Sequence, residues 1–271
     1  MEKQNLTLTF IGAGNVATHL AQALARKSCR INQIYSRTET SAQALASALD
    51  CAFTTDLSEI SSDSDLYIVS VKDAVLEEVT GTLARHANPD ALFVHTAGSM
   101  PMSVWEGKTR RHGVLYPMQT FSKSRSVDFS NVPFFIETSL PDDTLLLQEL
   151  AGRLSDKVYA ASSEQRKYLH IAAVFACNFA NHMYAISRHL LRAHGLPFEA
   201  MLPLIDETAR KVHTLTPTEA QTGPARRDDR NVMERHLEIL EEEPELATLY
   251  HLISRNIHTY ELKDKEENDK L

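Results

Sequence analysis

Glycines 12 and 14, a Ser-Arg-Thr triplet at 36–38 and a polar group of Lys167, His170 and Asn178 are the residues here best suited to holding an anion or moving a proton. Gly12-Ala13-Gly14 ends an apolar run where a helical pattern begins, and Ala17 follows three residues later. In such a place Gly12 permits a tight turn and Gly14 lets a pyrophosphate approach the backbone without meeting a Cβ, while Ala17 lets the helix pack close to the strand. The N–H groups at the start of the helix, around Asn15 and Val16, add the positive end of the helix dipole. Roughly 20 residues past the glycines an acidic residue would hold a ribose 2′-OH. That place holds Ser36, Arg37 and Thr38, and the nearest acid, Glu39, comes late. A guanidinium pairs with a 2′-phosphate in a bidentate way and stacks on adenine, and two hydroxyls add donors. The sequence therefore points to NADP(H).

The third group is suited to acid–base work. Stepped at 100° per residue from His170, Lys167 falls at about 60°, Asn178 at about 80° and Asn181 at about 20°, so four polar groups share one quarter of a helix. Leu169, Ala172, Phe175, Ala176 and Phe179 occupy the other side. Imidazole titrates near neutrality, which makes His170 the natural proton donor. Lys167 could serve if burial lowered its pKa, or could anchor an anionic substrate. Asn178 can orient a carbonyl but cannot release a proton. His95, at a strand end, is a rival from the opposite wall, and Tyr116 is another. A junction helix with its polar quarter facing water would show the same pattern.

The elements that must position these residues alternate along the first 161 positions. Strand patterns occur at Leu6–Ile11, Ile31–Ser36, Ala52–Thr54, Asp65–Val71, Ala91–Thr96, Gly113–Tyr116, Val132–Glu137 and Lys157–Ala160. The near-continuous apolar run to Val71 is that of a parallel strand buried on both faces. Val71 and Lys72 end that strand, and Thr96 and Ala97 end the next, so both pairs are expected at the ligand edge of the sheet with Gly12 to Val16. From Ser162 the chain turns wholly helical, with breaks at Gly195-Leu196-Pro197 and in the turn-rich Thr216–Asp229. Arg226 and Arg227 in that loop could hold a carboxylate or phosphate, or pair with Asp228, Asp229 or Glu219. The polar end from Lys263 is expected to fray. The prediction is an α/β fold: a Rossmann-type, mostly parallel sheet domain over 1–161, then an all-helical substrate and dimerisation domain over 162–271.

Composition fits a globular chain of 271 residues, 43% hydrophobic and 24% charged. A net charge of −8 argues against nucleic-acid or anionic-membrane partners. Cys29, Cys51 and Cys177 are too few and too scattered for a disulfide framework or a zinc site, and the twelve histidines lack ligand spacing, so no metal is expected. No apolar run reaches about 18 residues, and the first strand begins too early for a signal peptide, so a cytoplasmic location is expected. Apolar stripes on the helical half suggest a homodimer.

FIGAGNVA, DLYIVSVKD and the HTAG turn resemble the NADP-binding half of the pyrroline-5-carboxylate reductase and 6-phosphogluconate dehydrogenase superfamily. LYPMQTF, HIAAVFACNFANH and TGPARRDD resemble a narrower bacterial family of NADP oxidoreductases whose helical C-terminal domain has no assigned function. The resemblance implies an oxidoreductase using NADP(H) on a small molecule. In the related dehydrogenases a lysine and an asparagine on the equivalent helix bind and protonate substrate, which matches them to Lys167 and Asn178. The expected reaction is reduction of a small carbonyl or imine compound. The alternative is a non-catalytic NADP(H)-binding sensor or regulatory protein.

Overall fold

The computed structural model describes residues 6–268, with side chains to Lys263. The chain divides into two compact units, one ending at Met183 and the other beginning at Tyr184.

The first unit is built on an eight-stranded sheet. Its strands are β1 (Thr7–Ile11), β2 (Arg30–Tyr35), β3 (Ala52–Thr54), β4 (Leu66–Val69), β5 (Leu92–His95), β6 (His112–Pro117), β7 (Phe134–Thr138) and β8 (Val158–Ala160), in spatial order β3-β2-β1-β4-β5-β6-β7-β8. Every pairing is parallel except β6 with β7. The order reverses direction between β1 and β4, the switch point where doubly wound sheets bind ligands. Both faces are covered. In β4, Leu66 and Ile68 join a core with Leu20, Leu24 and Leu147, whereas Tyr67 and Val69 join a second core with Leu76, Leu83 and Trp105. This two-sided burial is why the strand carries no polar alternation.

Helices α1 (Asn15–Arg26), α2 (Glu39–Leu49), α3 (Asp73–His86) and α4 (Pro141–Gly152) connect the strands. After β8, Ser162 and Gln165 form a capping box that starts α5 (Ser163–Ala173). The constant 100° step from Lys167 to Asn181 implies one regular helix there, and that expectation is corrected here. A π-helical segment, Val174–Phe179, intervenes before α6 (Ala180–Ala193). Its wider turn breaks the 100° step past residue 173, so a projection through it misplaces later side chains.

The second unit contains α7 (Leu202–Lys211), α8 (Pro217–Ala220), α9 (Arg230–Ile239) and α10 (Pro244–Asn268). The backbone stays helical to Asn268, past the point expected to fray; residues 269–271 lie outside the described residues. Arg226 is taken by Glu261 at 3.0 Å and by the Gln221 carbonyl at 2.7 Å, so it fastens the 216–229 loop to α10. It pairs with none of the side chains expected of it, Asp228, Asp229 or Glu219; Asp228 binds Arg230 instead. No helix among the described residues is long and apolar enough to cross a membrane.

Candidate functional site

β1 ends in the glycine turn, and two observations separate the roles of its glycines. Gly12 has φ +122° and donates its N–H to the Tyr35 carbonyl at 2.8 Å; a Cβ there would lie 2.1 Å from the Ser70 carbonyl oxygen. The fold itself requires that glycine. Gly14 is exposed, and a Cβ on it would meet nothing within 4 Å. Its smallness leaves free space instead of relieving a clash. Ala17 is fully buried against the sheet, as a close helix–strand contact requires. The N-terminus of α1 has no side-chain cap and no acid in its first turn, so its leading N–H groups stay available to an anion.

These groups open on a cavity of about 630 Å³. Gly12, Ala13, Gly14, Asn15 and Val16 line it from the turn, Ser36, Arg37 and Thr38 from the end of β2, and Val71 and Lys72 from the end of β4. Ten of the twelve expected cofactor residues thus meet in one space. Ser36 Oγ accepts from the Thr38 N–H at 3.3 Å, which curls the loop, and neither Arg37 nor Lys72 has an ion-pair partner among the described residues. Thr96 and Ala97 are not in the lining. They flank it through Thr96 Oγ1, which donates to the wall residue Ser70 at 3.1 Å. Leu57, Val75, Glu78 and Val79 line the cavity without having been expected there. Val75 and Val79, one turn apart on α3, read in sequence as an ordinary core stripe. Leu57 carries no motif.

Beyond β5 the edge continues as a tightly tied loop. The Ser99 hydroxyl donates to Asp73, joining the loops after β5 and β4. Gly98 lies under the Tyr116 ring, where a Cβ would approach Cζ to 2.6 Å. Arg166 of α5 is fully buried and donates to Glu137, to the Met100 carbonyl at 3.0 Å and to Ser163 Oγ at 3.2 Å. Ser163 donates in turn to Glu137 at 2.7 Å and accepts from the Met102 N–H at 2.8 Å. Burial alone would raise the Glu137 pKa; the hydrogen bonds from Arg166 and Ser163 outweigh it and hold the carboxyl below its usual value.

This packing revises the expected catalytic set. His95 is fully buried, its Nδ1 accepts from the Ala97 N–H at 3.2 Å, and its Nε2 lies 3.3 Å from the Pro101 carbonyl. A carbonyl can only accept, so the proton resides on Nε2 and the ring is neutral. Burial, followed by the nearby Arg166 charge, lowers its pKa to about 4. Both ring nitrogens of His95 are thus engaged within the loop that follows β5. Lys167 is exposed and pairs with Glu164 at 3.0 Å, and Asn178 and Asn181 are also exposed. The basic residue of α5 that points inward is Arg166, one position from the lysine. His170 is half-buried, edge-on to Tyr116 with ring centroids 6.4 Å apart, and its Nδ1 is buried without a hydrogen-bond partner. Burial raises the Tyr116 pKa, with a smaller contribution from Cys177. The described residues contain no group of three or more potential metal ligands, and the three cysteines are free.

Two family models match the chain: NADP oxidoreductase coenzyme F420-dependent over residues 7–98, and a domain of unknown function, DUF2520, over residues 132–257. A crystal structure of a Bacteroides fragilis protein described as a putative NADP oxidoreductase is 55% identical, covers 94% of this chain and 98% of its own, and superposes with a TM-score of 0.90. A Thermotoga maritima protein is 22% identical over 95% of this chain and 99% of its own, with a TM-score of 0.71. An imine reductase from Myxococcus stipitatus in complex with NADP+ is 15% identical over 96% and 94%, with a TM-score of 0.64. The last two share the fold. Comparison with curated proteins finds no match. At 55% identity over nearly its whole length, the chain belongs to the same NADP oxidoreductase family as the Bacteroides fragilis protein, with a Rossmann-type sheet joined to a DUF2520 domain.

Proposed function

We propose that the protein is an NADPH-dependent reductase of a small carbonyl or imine compound. The observation that carries the cofactor reading is the 630 Å³ cavity itself, in which an uncapped helix N-terminus, an unfilled Gly14 surface and an Arg37 with no ion-pair partner among the described residues converge. The turn from Gly12 to Val16 holds the pyrophosphate, Ser36, Arg37 and Thr38 hold the 2′-phosphate, and the adenine lies against Val75 and Val79. When bound, the cofactor supplies the hydride. The chain supplies a proton from the imidazole of His170, which stands half-buried beside Tyr116. Tyr116, braced on Gly98, fixes the imidazole from the side. The complex named for the M. stipitatus imine reductase supports both the cofactor and the substrate class. Oxidation of NADPH with a panel of cyclic imines and 2-oxo acids tests the activity. Tight binding with no turnover across the panel would favour a sensor.

The cofactor preference has its own test. NADPH should bind more tightly than NADH in fluorescence titration, and Arg37→Ala should narrow the gap by about 1–3 kcal/mol, the range of charge-assisted hydrogen bonds. Equal affinities in the parent protein would refute the assignment of Arg37.

We also propose a homodimer. Tyr168, Ile171, Phe175 and Phe179 are all exposed, at 69%, 54%, 64% and 49%, on α5 and the π segment, and the Phe175 and Phe179 rings meet edge to face 5.0 Å apart. A row of four large apolar side chains facing water marks an interaction surface, and a second copy offering the same row satisfies it by two-fold symmetry. Sedimentation equilibrium at micromolar concentration should give twice the chain mass of 30.4 kDa. A species at the single-chain mass would contradict the proposal.

A further inference from the structure

A second cavity, of about 260 Å³, opens on a face of α1 that carries none of that helix's core residues. His19, Gln22 and Arg26 line it from the helix, and Lys123, Ser124 and Ser126 line it from the loop after β6. Each of these side chains can donate a hydrogen bond, and no carboxylate takes part. In a chain with 36 acids against 28 bases this is a local reversal of charge. Asp128, the nearest acid along the loop, is committed to the Ser130 N–H at 3.0 Å. Among the described residues neither Arg26 nor Lys123 has an ion-pair partner. The loop is nonetheless fastened in place. Asn15 Nδ2 donates to the Phe121 carbonyl at 2.9 Å, and His19 Nε2 donates to the Ser122 carbonyl at 2.9 Å, with the imidazole tilted against the Phe121 ring.

We infer that this cavity is a second anion site, separate from the dinucleotide cavity, that takes the phosphate of a small phosphate monoester. A guanidinium, an ammonium and two hydroxyls around one space match a tetrahedral dianion, whose oxygens accept several charge-assisted hydrogen bonds at once. A carboxylate would leave much of that donor set idle. The space exceeds a bare phosphate, and its apolar residues Val127 and Phe129 can cover a small organic group beyond the ester oxygen. No lining residue is shared with the dinucleotide cavity, so the inference does not depend on the proposed function.

The test is titration of the full-length protein with inorganic phosphate at fixed pH and ionic strength, following backbone amide NMR signals of residues 122–126 with chloride as the control. Phosphate, and not chloride, should shift these signals to saturation. Arg26→Ala and Lys123→Ala should each weaken the response about tenfold, the loss of one charge-assisted contact, whereas Arg37→Ala, in the other cavity, should leave it unchanged. Both cationic side chains are exposed, so truncating them does not disturb the core. An equal response to chloride, or unchanged phosphate affinity in both Arg26→Ala and Lys123→Ala, would overturn the inference.

Discussion

Arg166→Met is expected to lower the stability of the protein by about 3–5 kcal/mol, the usual loss when one partner of a buried ion pair is removed. Arg166 has no exposed surface, and the half-buried carboxylate it faces at Glu137 would be left without its charge partner. The damage would spread along the edge of the site. Arg166 also holds the Met100 carbonyl, so the loop carrying Gly98 and Ser99 loses one of its ties to α5 and keeps the one from the Met102 N–H to Ser163. Replacing both members, as Arg166→Met with Glu137→Leu, should recover most of the loss, because apolar groups of similar volume carry no desolvation debt. The pH dependence follows from the sign of the Glu137 shift. A carboxyl held below its usual pKa contributes stability that is present above the unfolded value, near 4.3 for glutamate, and is lost as pH falls through the folded value. The gap between parent and Arg166→Met should therefore be widest at neutral pH and shrink below about pH 4. Urea unfolding at pH 7 and pH 3 reads all of these. A single variant within 1 kcal/mol of the parent, or a double variant no better than the single, would show that the pair is not what fastens α5 to the sheet.

How much of this was legible in the sequence depends on how local each feature is. The strand patterns, the glycine turn and the Ser36–Thr38 loop each depend on neighbours within a few residues, and ten of the twelve expected cofactor residues meet in one cavity. Thr96 and Ala97 flank that lining from the end of β5, a difference of lateral position that no periodicity encodes. Val75, Glu78 and Val79 were invisible for the opposite reason. A helix that faces a cavity and a helix that faces a core carry the same apolar stripe. On α5 the error was one of phase. A projection centred on His170 brought Lys167 inward and left Arg166 unremarked, although burial of Arg166 is what locks the helix down. The π segment then shifts the later positions, and an insertion of one residue into a helical turn leaves no compositional trace. The neutrality of His95 depends on carbonyl and N–H groups from residues 97 and 101, which only the folded loop brings to the ring.

His170→Ala should lower kcat by roughly 10²–10⁴, the range for a lost general acid, while NADPH affinity stays near that of the parent. A carbonyl or imine that receives a hydride must take up a proton at its heteroatom, which requires a donor within hydrogen-bond reach. Of the donors expected in this role, His170, Lys167, His95 and Tyr116, we propose His170. His95 is buried and neutral, Lys167 is exposed and engaged with Glu164, and Asn178 holds no exchangeable proton of the required acidity. His170 is half-buried edge-on to Tyr116, and its Nδ1 has no hydrogen-bond partner among the described residues. A substrate heteroatom hydrogen-bonded to this imidazole stands in line for the proton. Lys167→Ala should therefore turn over near the parent rate, and Tyr116→Phe, which keeps the ring that braces the imidazole, should also retain most of it. The pH profile separates chemistry from packing. Loss of the donor should abolish the limb of kcat that belongs to the imidazole, whereas a merely loosened helix would lower the whole profile and leave its shape. If His170→Ala reduces the imine or carbonyl as fast as the parent while Tyr116→Phe does not, the proton comes from the phenol, and the histidine is its support.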